Sequence, residues 1–513
     1  MKISKTPFFF RYTYPLDDIA SWEKALTTKK ESFWVNRGKK MQLALFDDMA
    51  RRVPAYKQFL KKHKIDPKKI RTHNDLLSVP TINKDNYLRA YPLSDLSWDG
   101  RLGDVHHIIS ATSGSTGEPF YFPRTTLQDQ QYALLAELYL RTNFQIQNKR
   151  TLLINAFPLG VWIGGLFTYA AITTVAERGS YALSLINPGI NIPATLRAVK
   201  KFGAEFDQII IASYGPFLKD ILDEGAREGI KWKTLDLGFI FSAEGFNESF
   251  RDHVLTHTNK KNKITASLNH YGTVDLGTMS YETPLAILAR KTIERTPDLR
   301  NTLFHEPFKT PTLTQFIPEL FYFEQTADAH LLVSGYSGLP LVRYDLNDYG
   351  HVYSKEHLSK EFADAGEDVA LLAQKSGIAP TIWNLPFVQV FERTDFSVSY
   401  FAFQIYPETV RRAVGSDEFS AICSGKFTLL VTFDQHHHQR LEVHVEQMPH
   451  VRSVSLRAQK RLQRKVHDQL MKESSEYEKT FHEKGIQLFP QIVMHTHGDP
   501  AYFPSGGKQK WVK

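Results

Sequence analysis

Among 513 residues there is a single cysteine, Cys423. Intramolecular disulfides and cysteine-based zinc sites are thereby excluded. Flanked by Ala421 and Ile422, Cys423 reads as a small buried hydrophobe rather than a nucleophile. No apolar run reaches the roughly 18 residues that a membrane-spanning helix needs. The richest, Gly160 to Ala171, is short and broken by glycine. The opening MKISKTPFFFRYTYP lacks an apolar core and a small-residue cleavage site, so no signal peptide is expected and a cytoplasmic location fits. Charge of one sign is not concentrated anywhere: 63 Lys and Arg against 55 Asp and Glu leave a net +8, scattered along the chain. That balance suits an anionic small molecule, and no signature of nucleic-acid binding accompanies it. His436, His437 and His438 are adjacent between two strand-like runs. Neighbours there point different ways, so they read as a solvated turn and not as a metal site.

The length implies two or three domains, and 42% apolar with 23% charged residues is ordinary for a globular protein. Residues 16 to 100 look helical, with apolar positions three and four apart, punctuated at Val53-Pro54 and Val79-Pro80. From about 105 to 340 the texture becomes an alternation of β-rich and helix-like segments. The β-rich runs are Thr151 to Ala156, Gln208 to Ala212, Gly238 to Ser242, Thr265 to Tyr271 and Leu331 to Gly335. This predicts an α/β core with a mostly parallel sheet, several of its runs ending at Gly, Ser or Asn, where ligands collect. A second, α+β unit is expected from about 393, after a boundary within Pro386 to Thr394. Its strands fall at Lys426 to Phe433, Leu441 to Glu446 and Ile492 to Thr496, with a helical stretch over 453–477. The expected division is 1–100 as the helical first part of a large domain, 101–392 as its α/β core, and 393–513 as a small C-terminal domain.

The strongest local signal is Thr112-Ser113-Gly114-Ser115-Thr116-Gly117, followed by Glu118-Pro119. Glycines let a backbone approach an anion and present its N–H groups, and the hydroxyls add short donors at the same place. Such a loop can wrap the phosphates of a nucleotide. It is not a Walker loop, because no Gly-Lys-Ser/Thr closes it. Read on its own, the stretch is also compatible with a plain surface turn.

TSGSTGEP resembles the signature of the acyl-adenylate-forming superfamily of acyl-CoA synthetases, peptide-synthetase adenylation domains and luciferases. Further motifs follow in the superfamily's order. The upstream stretch RVPAYKQFL to NKDNYLRAYP is similar to the phenylacetate-CoA ligase-like branch. The resemblance covers roughly residues 48 to 513 and implies a large adenylate-forming domain plus a small, mobile C-terminal domain. It implies that Phe241-Ser242-Ala243-Glu244-Gly245 lines the adenine, with Ala243, Glu244 and Gly245 in contact. In His270-Tyr271-Gly272-Thr273-Val274-Asp275, the resemblance makes Tyr271, Gly272 and Thr273 nucleotide-binding and Asp275 a ligand of Mg²⁺. Val274 replaces the usual hydroxyl residue. Leu341 to Asp348 is similar to the branch's Arg-Tyr-x-x-Gly-Asp, which makes Asp348 the ribose ligand in preference to Asp345. Asn347 stands in place of glycine, a substitution a left-handed turn tolerates.

Glu392-Arg393-Thr394-Asp395 resembles the element that opens the C-terminal domain, with Arg393 reaching ribose or phosphate and Asp395 the pivot. Gly506-Gly507-Lys508 resembles the family's closing Gly-Lys, which makes Lys508 the catalytic lysine and Lys510 its competitor. Glycine is usual in the family at Ala402, where pantetheine passes closely, so a side chain there narrows a CoA tunnel. The resemblance thus implies an ATP- and Mg²⁺-dependent ligase for a small acid, aryl or apolar, with CoA as candidate acceptor. An amine, hydroxyl or carrier protein is the alternative acceptor. A non-catalytic nucleotide-binding module is a further alternative, and a homodimer is left open. Phe157, Trp162 and Phe241 are candidates for the acid pocket, although such aromatics equally form core.

Overall fold

The computed structural model describes residues 11–103, 107–112, 119–179, 181–242, 245–304, 310–393, 397–401, 403–503 and 512. Two compact units emerge: Met1–Ser110 with Tyr121–Glu392, and Ala111–Phe120 with Arg393–Lys513.

The first unit begins with the helices Ile19–Thr28, Glu31–Arg52 and Pro54–Lys62. The second of these stops at Arg52 because Val53 precedes a proline and takes extended backbone. Pro54 then opens the next helix at the position where its missing N–H is not needed. This layer buries Trp22, Trp34, Phe46 and Tyr56. The strands of the unit are β1 (His107–Ala111), β2 (Tyr121–Thr125), β3 (Thr151–Asn155), β4 (Leu183–Ile186), β5 (Gln208–Ala212), β6 (Leu237–Phe241) and β7 (Ser267–Thr273). They continue with β8 (Gly277–Tyr281), β9 (Thr312–Gln315), β10 (Phe321–Gln325), β11 (His330–Gly335), β12 (Leu341–Tyr353) and β13 (Phe387–Arg393).

β3 to β13 form one eleven-stranded sheet in the order β10-β11-β12-β13-β9-β8-β7-β6-β5-β3-β4. The half β4-β3-β5-β6-β7 is parallel. Here strands alternate with the helices Ile163–Gly179, Ile192–Phe202, Gly215–Arg227 and Glu248–Leu255. β3, β5 and β6 are buried at every residue, as parallel strands covered on both faces must be. From β7 onward the pairs β7–β8, β8–β9, β9–β13, β11–β12 and β10–β11 are antiparallel. The links β7–β8, β10–β11 and β11–β12 are short and can join only antiparallel neighbours, whereas β8 reaches its antiparallel neighbour β9 through the helix Pro284–Arg295. Among the described residues, no helix is long and apolar enough to cross a membrane.

The second unit holds the short pair β14 (Val398–Tyr400) and β15 (Phe403–Ile405), and the sheet β16 (Cys423–Phe433), β17 (Gln439–Gln447) and β18 (Gln491–His495). β16 and β17 are antiparallel, whereas β17 and β18 are parallel, joined across the helices Leu456–Glu473 and Ser475–Lys484. Cys423 is buried at the head of β16, and burial pushes its thiol up to about 11. It stays protonated and packs as a hydrophobe. The histidine run is the β16–β17 turn: Asp434 accepts the backbone N–H groups of His436 (2.8 Å) and His438 (3.0 Å) and pairs with Arg440.

Glu446 anchors the last segment of this unit. Its side chain is fully buried and accepts from Ser424 Oγ (2.6 Å) and from the backbone N–H of Gly498 (3.0 Å). Burial alone raises a carboxyl, but these donors together with Lys426 hold it below the ordinary value. The stabilisation is therefore present above the unfolded pKa and is lost as pH falls through the lower folded one. Glu446→Gln is expected to cost about 2 kcal/mol at neutral pH. Hydrogen exchange should then show roughly thirtyfold faster opening of β18 amides, a difference that shrinks below about pH 4.

Candidate active site

The site is built around the turn where the parallel half of the sheet gives way to the antiparallel half. β7 carries His270-Tyr271-Gly272-Thr273 and returns as β8 after Val274-Asp275-Leu276. The Tyr271 hydroxyl donates to Asp348 Oδ2 at 2.6 Å, and both residues are buried. Asp348 reaches this position because β12 is irregular: Arg343 and Asn347 have φ of 51° and 58°. The Asn347 N–H donates to Asp345 Oδ1 at 2.8 Å. Asp345 thus closes its own turn, and Asp348 faces Tyr271.

Two glycines make the β7–β8 turn sterically possible. A Cβ on Gly272 would lie 2.9 Å from Thr278 Cα. Gly277 has φ of +81°, and a Cβ there would collide with the Phe167 ring. Held in this turn, Thr273 Oγ1 and Asp275 Oδ1 are buried with no hydrogen-bond partner. Lys84 Nζ lies 3.8 Å from Asp275 Oδ1. Lys84 arrives from the helical N-terminal layer. Ile82 forms a β-bridge with Tyr344, and the Arg343 guanidinium binds the carbonyls of Leu77 (2.9 Å) and Val79 (2.6 Å). Lys84 lies in the NKDNYLRAYP stretch, where sequence alone assigns it no role; the docking of that stretch on β12 brings it here.

The segment after β6 is positioned by buried charge. Arg251 pairs with Glu282 (2.7 Å) and Glu248 (2.8 Å), and Arg290 with Glu248 (2.9 Å) and Glu282 (3.2 Å). Arg290 also donates to the Phe246 and Pro311 carbonyls. Glu248 is held below its ordinary value: burial pushes it up, and Arg251, Arg290 and Lys291 outweigh that. Gly245 lies at the exposed edge of this segment, where a Cβ would meet only Thr312 Oγ1 at 3.5 Å.

The aromatic candidates separate. Phe241 is buried in a ring cluster with Phe246 (4.8 Å) and Phe250. Phe157 is buried against Gly164, and Trp162 is half-buried. His270 lies against the rings of Tyr139 (5.0 Å) and Tyr132 (6.0 Å), and burial lowers it to about 3, so it is neutral. In the second unit, Thr112 closes the base of its hairpin: its N–H donates to the Phe120 carbonyl and its Oγ1 accepts the Phe120 N–H, each at 2.9 Å. Ser113, Gly114, Ser115, Thr116, Gly117, Ala243, Glu244, Asp395, Ala402, Lys508 and the Arg393 side chain lie outside the described residues.

No protein-family model matches the chain, and no curated protein sequence matches it. Solved structures do. A 2-hydroxyisobutyryl-CoA ligase in complex with 2-HIB-AMP and CoA, in the thioesterification state, is similar at 12% identity and TM-score 0.65, over 98% of this chain and 95% of that one. The same ligase in the postadenylation state with 2-HIB-AMP gives 11% identity and TM-score 0.52, over 96% and 90%. Its open conformation gives 11% and 0.51, over 94% and 91%. The chain has the fold of an AMP-forming acyl-CoA ligase.

Gly277→Ala is expected to lower stability by about 3 kcal/mol, from the left-handed backbone and the collision with Phe167. Thermal unfolding checks this, with Gly245→Ala as the near-neutral control.

Proposed function

We propose that the chain is an ATP-dependent carboxylate ligase that joins an acid to AMP, releases pyrophosphate and passes the acyl group to an acceptor. The observation that carries this reading is the Tyr271–Asp348 hydrogen bond beside the unpartnered oxygens of Thr273 and Asp275. Residues 77 positions apart meet in a buried polar corner at the end of the parallel half of the sheet, where open α/β sheets bind ligands. The fold is that of enzymes doing this chemistry, and the ordered motifs from Thr112 to Lys508 match it.

In this reading Asp348 accepts the ribose hydroxyls and the Tyr271 hydroxyl orients it. Thr112 to Gly117 hold the departing phosphates. Asp275 and Thr273 offer a carboxylate and a hydroxyl to Mg²⁺; that donor set fits an ion held largely by phosphate oxygens. When bound, Mg²⁺ neutralises charge on the phosphates. Lys84, at 3.8 Å from Asp275, adds a fixed positive charge beside them. The acid's carboxylate attacks the α-phosphorus in line, and Lys508 stabilises the charge that develops. No protein nucleophile is needed, and positioning supplies much of the rate. Arg393 reaches the ribose or phosphate, and Asp395 is the pivot about which the small unit turns between half-reactions.

A specific observation favours an acceptor other than CoA. Phe401, next to Ala402, is buried with φ of 48°; its N–H donates to Gln439 Oε1 at 2.8 Å and Lys484 lies over its ring at 4.9 Å. Phe401 is thus fixed next to the position where the resemblance puts a passing pantetheine arm and where this chain has Ala402 in place of glycine. An amine, hydroxyl or carrier-protein acceptor is compatible with this arrangement.

Acid-dependent exchange of labelled pyrophosphate into ATP tests the first half-reaction. Lys508→Ala should lower it by about a hundredfold or more while ATP still binds, and Lys510→Ala should lower it far less. Full exchange in Lys508→Ala would remove the lysine from the mechanism. For the second half, Ala402→Gly should raise CoA-dependent turnover; high native CoA turnover, unchanged by the substitution, would show the path is open.

A further inference from the structure

Arg124 has no place in the reading above. It lies on β2, immediately after the phosphate loop and before the helix Thr126–Phe144. Its side chain is 2% exposed. Nε donates to Asp129 Oδ1 at 2.6 Å, and the guanidinium stacks on the Phe167 ring at 4.6 Å. Nη1 and Nη2 are both buried and neither has a hydrogen-bond partner. A packing role explains the stacking and the pairing with Asp129. It does not explain a cation buried with the open end of its fork unused, which is a costly arrangement when nothing fills it.

The Phe167 ring joins the guanidinium to the β7–β8 turn. Phe167 packs on Gly277 of the β7–β8 turn and on the Tyr132 ring at 4.4 Å. That turn also holds the unpartnered Thr273 Oγ1 and Asp275 Oδ1, and His270 Nε2 is unpartnered on the same strand. Buried polar atoms without partners are rare one by one. Thr273 Oγ1, Asp275 Oδ1 and His270 Nε2 lie on the one hairpin that Phe167 packs against, and Arg124 Nη1 and Nη2 belong to the guanidinium that the same ring contacts.

We infer that Arg124 is an oxyanion-recognition residue of this site, gripping a ligand carboxylate or phosphate end-on through Nη1 and Nη2. The two nitrogens present parallel N–H bonds spaced for two oxygens of one group, which lysine cannot reproduce. The identity of the ligand rests on the ligase reading; the subsite itself does not. The oxyanion has two sources in that reading: a second carboxylate on the acid, remote from the one activated, or a phosphate of ATP. In the first case the substrate is a dicarboxylate rather than a purely apolar acid.

Calorimetric titration of the full chain with adipate, hexanoate and pyrophosphate distinguishes them. The native chain should bind adipate or pyrophosphate, and Arg124→Gln should weaken that ligand by about tenfold or more. Arg124→Lys keeps the charge without the fork and should restore only part. Hexanoate serves as the baseline. A loss on adipate identifies the substrate's carboxylate, and a loss on pyrophosphate identifies the nucleotide. Equal affinities in native protein and in Arg124→Lys, at unchanged melting temperature, would overturn the assignment, as would a native chain that binds neither probe. Pyrophosphate exchange separates this from the ligase reading. Exchange that survives Arg124→Gln with unaltered KM for acid and ATP removes only Arg124. Oxyanion binding through Arg124 without any exchange removes only the ligase.

Discussion

The buried polar corner of the first unit hangs from the close approach of backbone at Gly272 and Gly277. At that turn the sheet changes from parallel to antiparallel, and the two strands come so near that a Cβ at Gly272 would lie 2.9 Å from Thr278 Cα. The register slips between Tyr271 and Gly272. A bulge re-aims side chains, and here Tyr271 meets Asp348 while Thr273 and Asp275 keep oxygens free of partners. The polar corner is thus a consequence of how tightly the chain can fold back.

Charge holds the neighbouring segment. Arg251, Arg290, Glu248 and Glu282 form a closed group with almost no exposure. Burying such ions gains little stability over an apolar cluster of equal volume. What the group supplies is direction: Arg290 grips two carbonyls, those of Phe246 and Pro311, and so ties the chain after β6 to the loop before β9. Removing one member strands the others in a region of low dielectric, which costs about 3–5 kcal/mol.

The strand-and-helix alternation was readable from residue texture because fully buried parallel strands must be apolar throughout. Gln208–Ala212 emerged with the predicted span, and the runs at Thr151, Gly238 and Thr265 fall on β3, β6 and β7. The left-handed backbone at Asn347 was legible too, since few residues other than glycine adopt it readily. The antiparallel half was less legible: β8 and β10 are not buried throughout, and the β8–β9 and β9–β13 partners are set by contacts distant in sequence. Arg124 went unmarked, and Lys84 went without a role inside NKDNYLRAYP, for a related reason. Each is one basic residue among 63 Lys and Arg, and nothing local separates a solvated cation from one brought beside Asp275 or buried on Phe167.

Sequence by itself determined the order of elements, the loop chemistry of Thr112 to Gly117, the glycines that permit the β7–β8 turn and the expectation of a cysteine that only packs. These are local properties, dictated by backbone freedom and hydrophobic periodicity. Tertiary structure alone decided which acid faces Tyr271, which cation approaches Asp275 and which polar atoms are left without partners. Those depend on distances between segments far apart in the chain, and burial turns such distances into energies that no single segment carries.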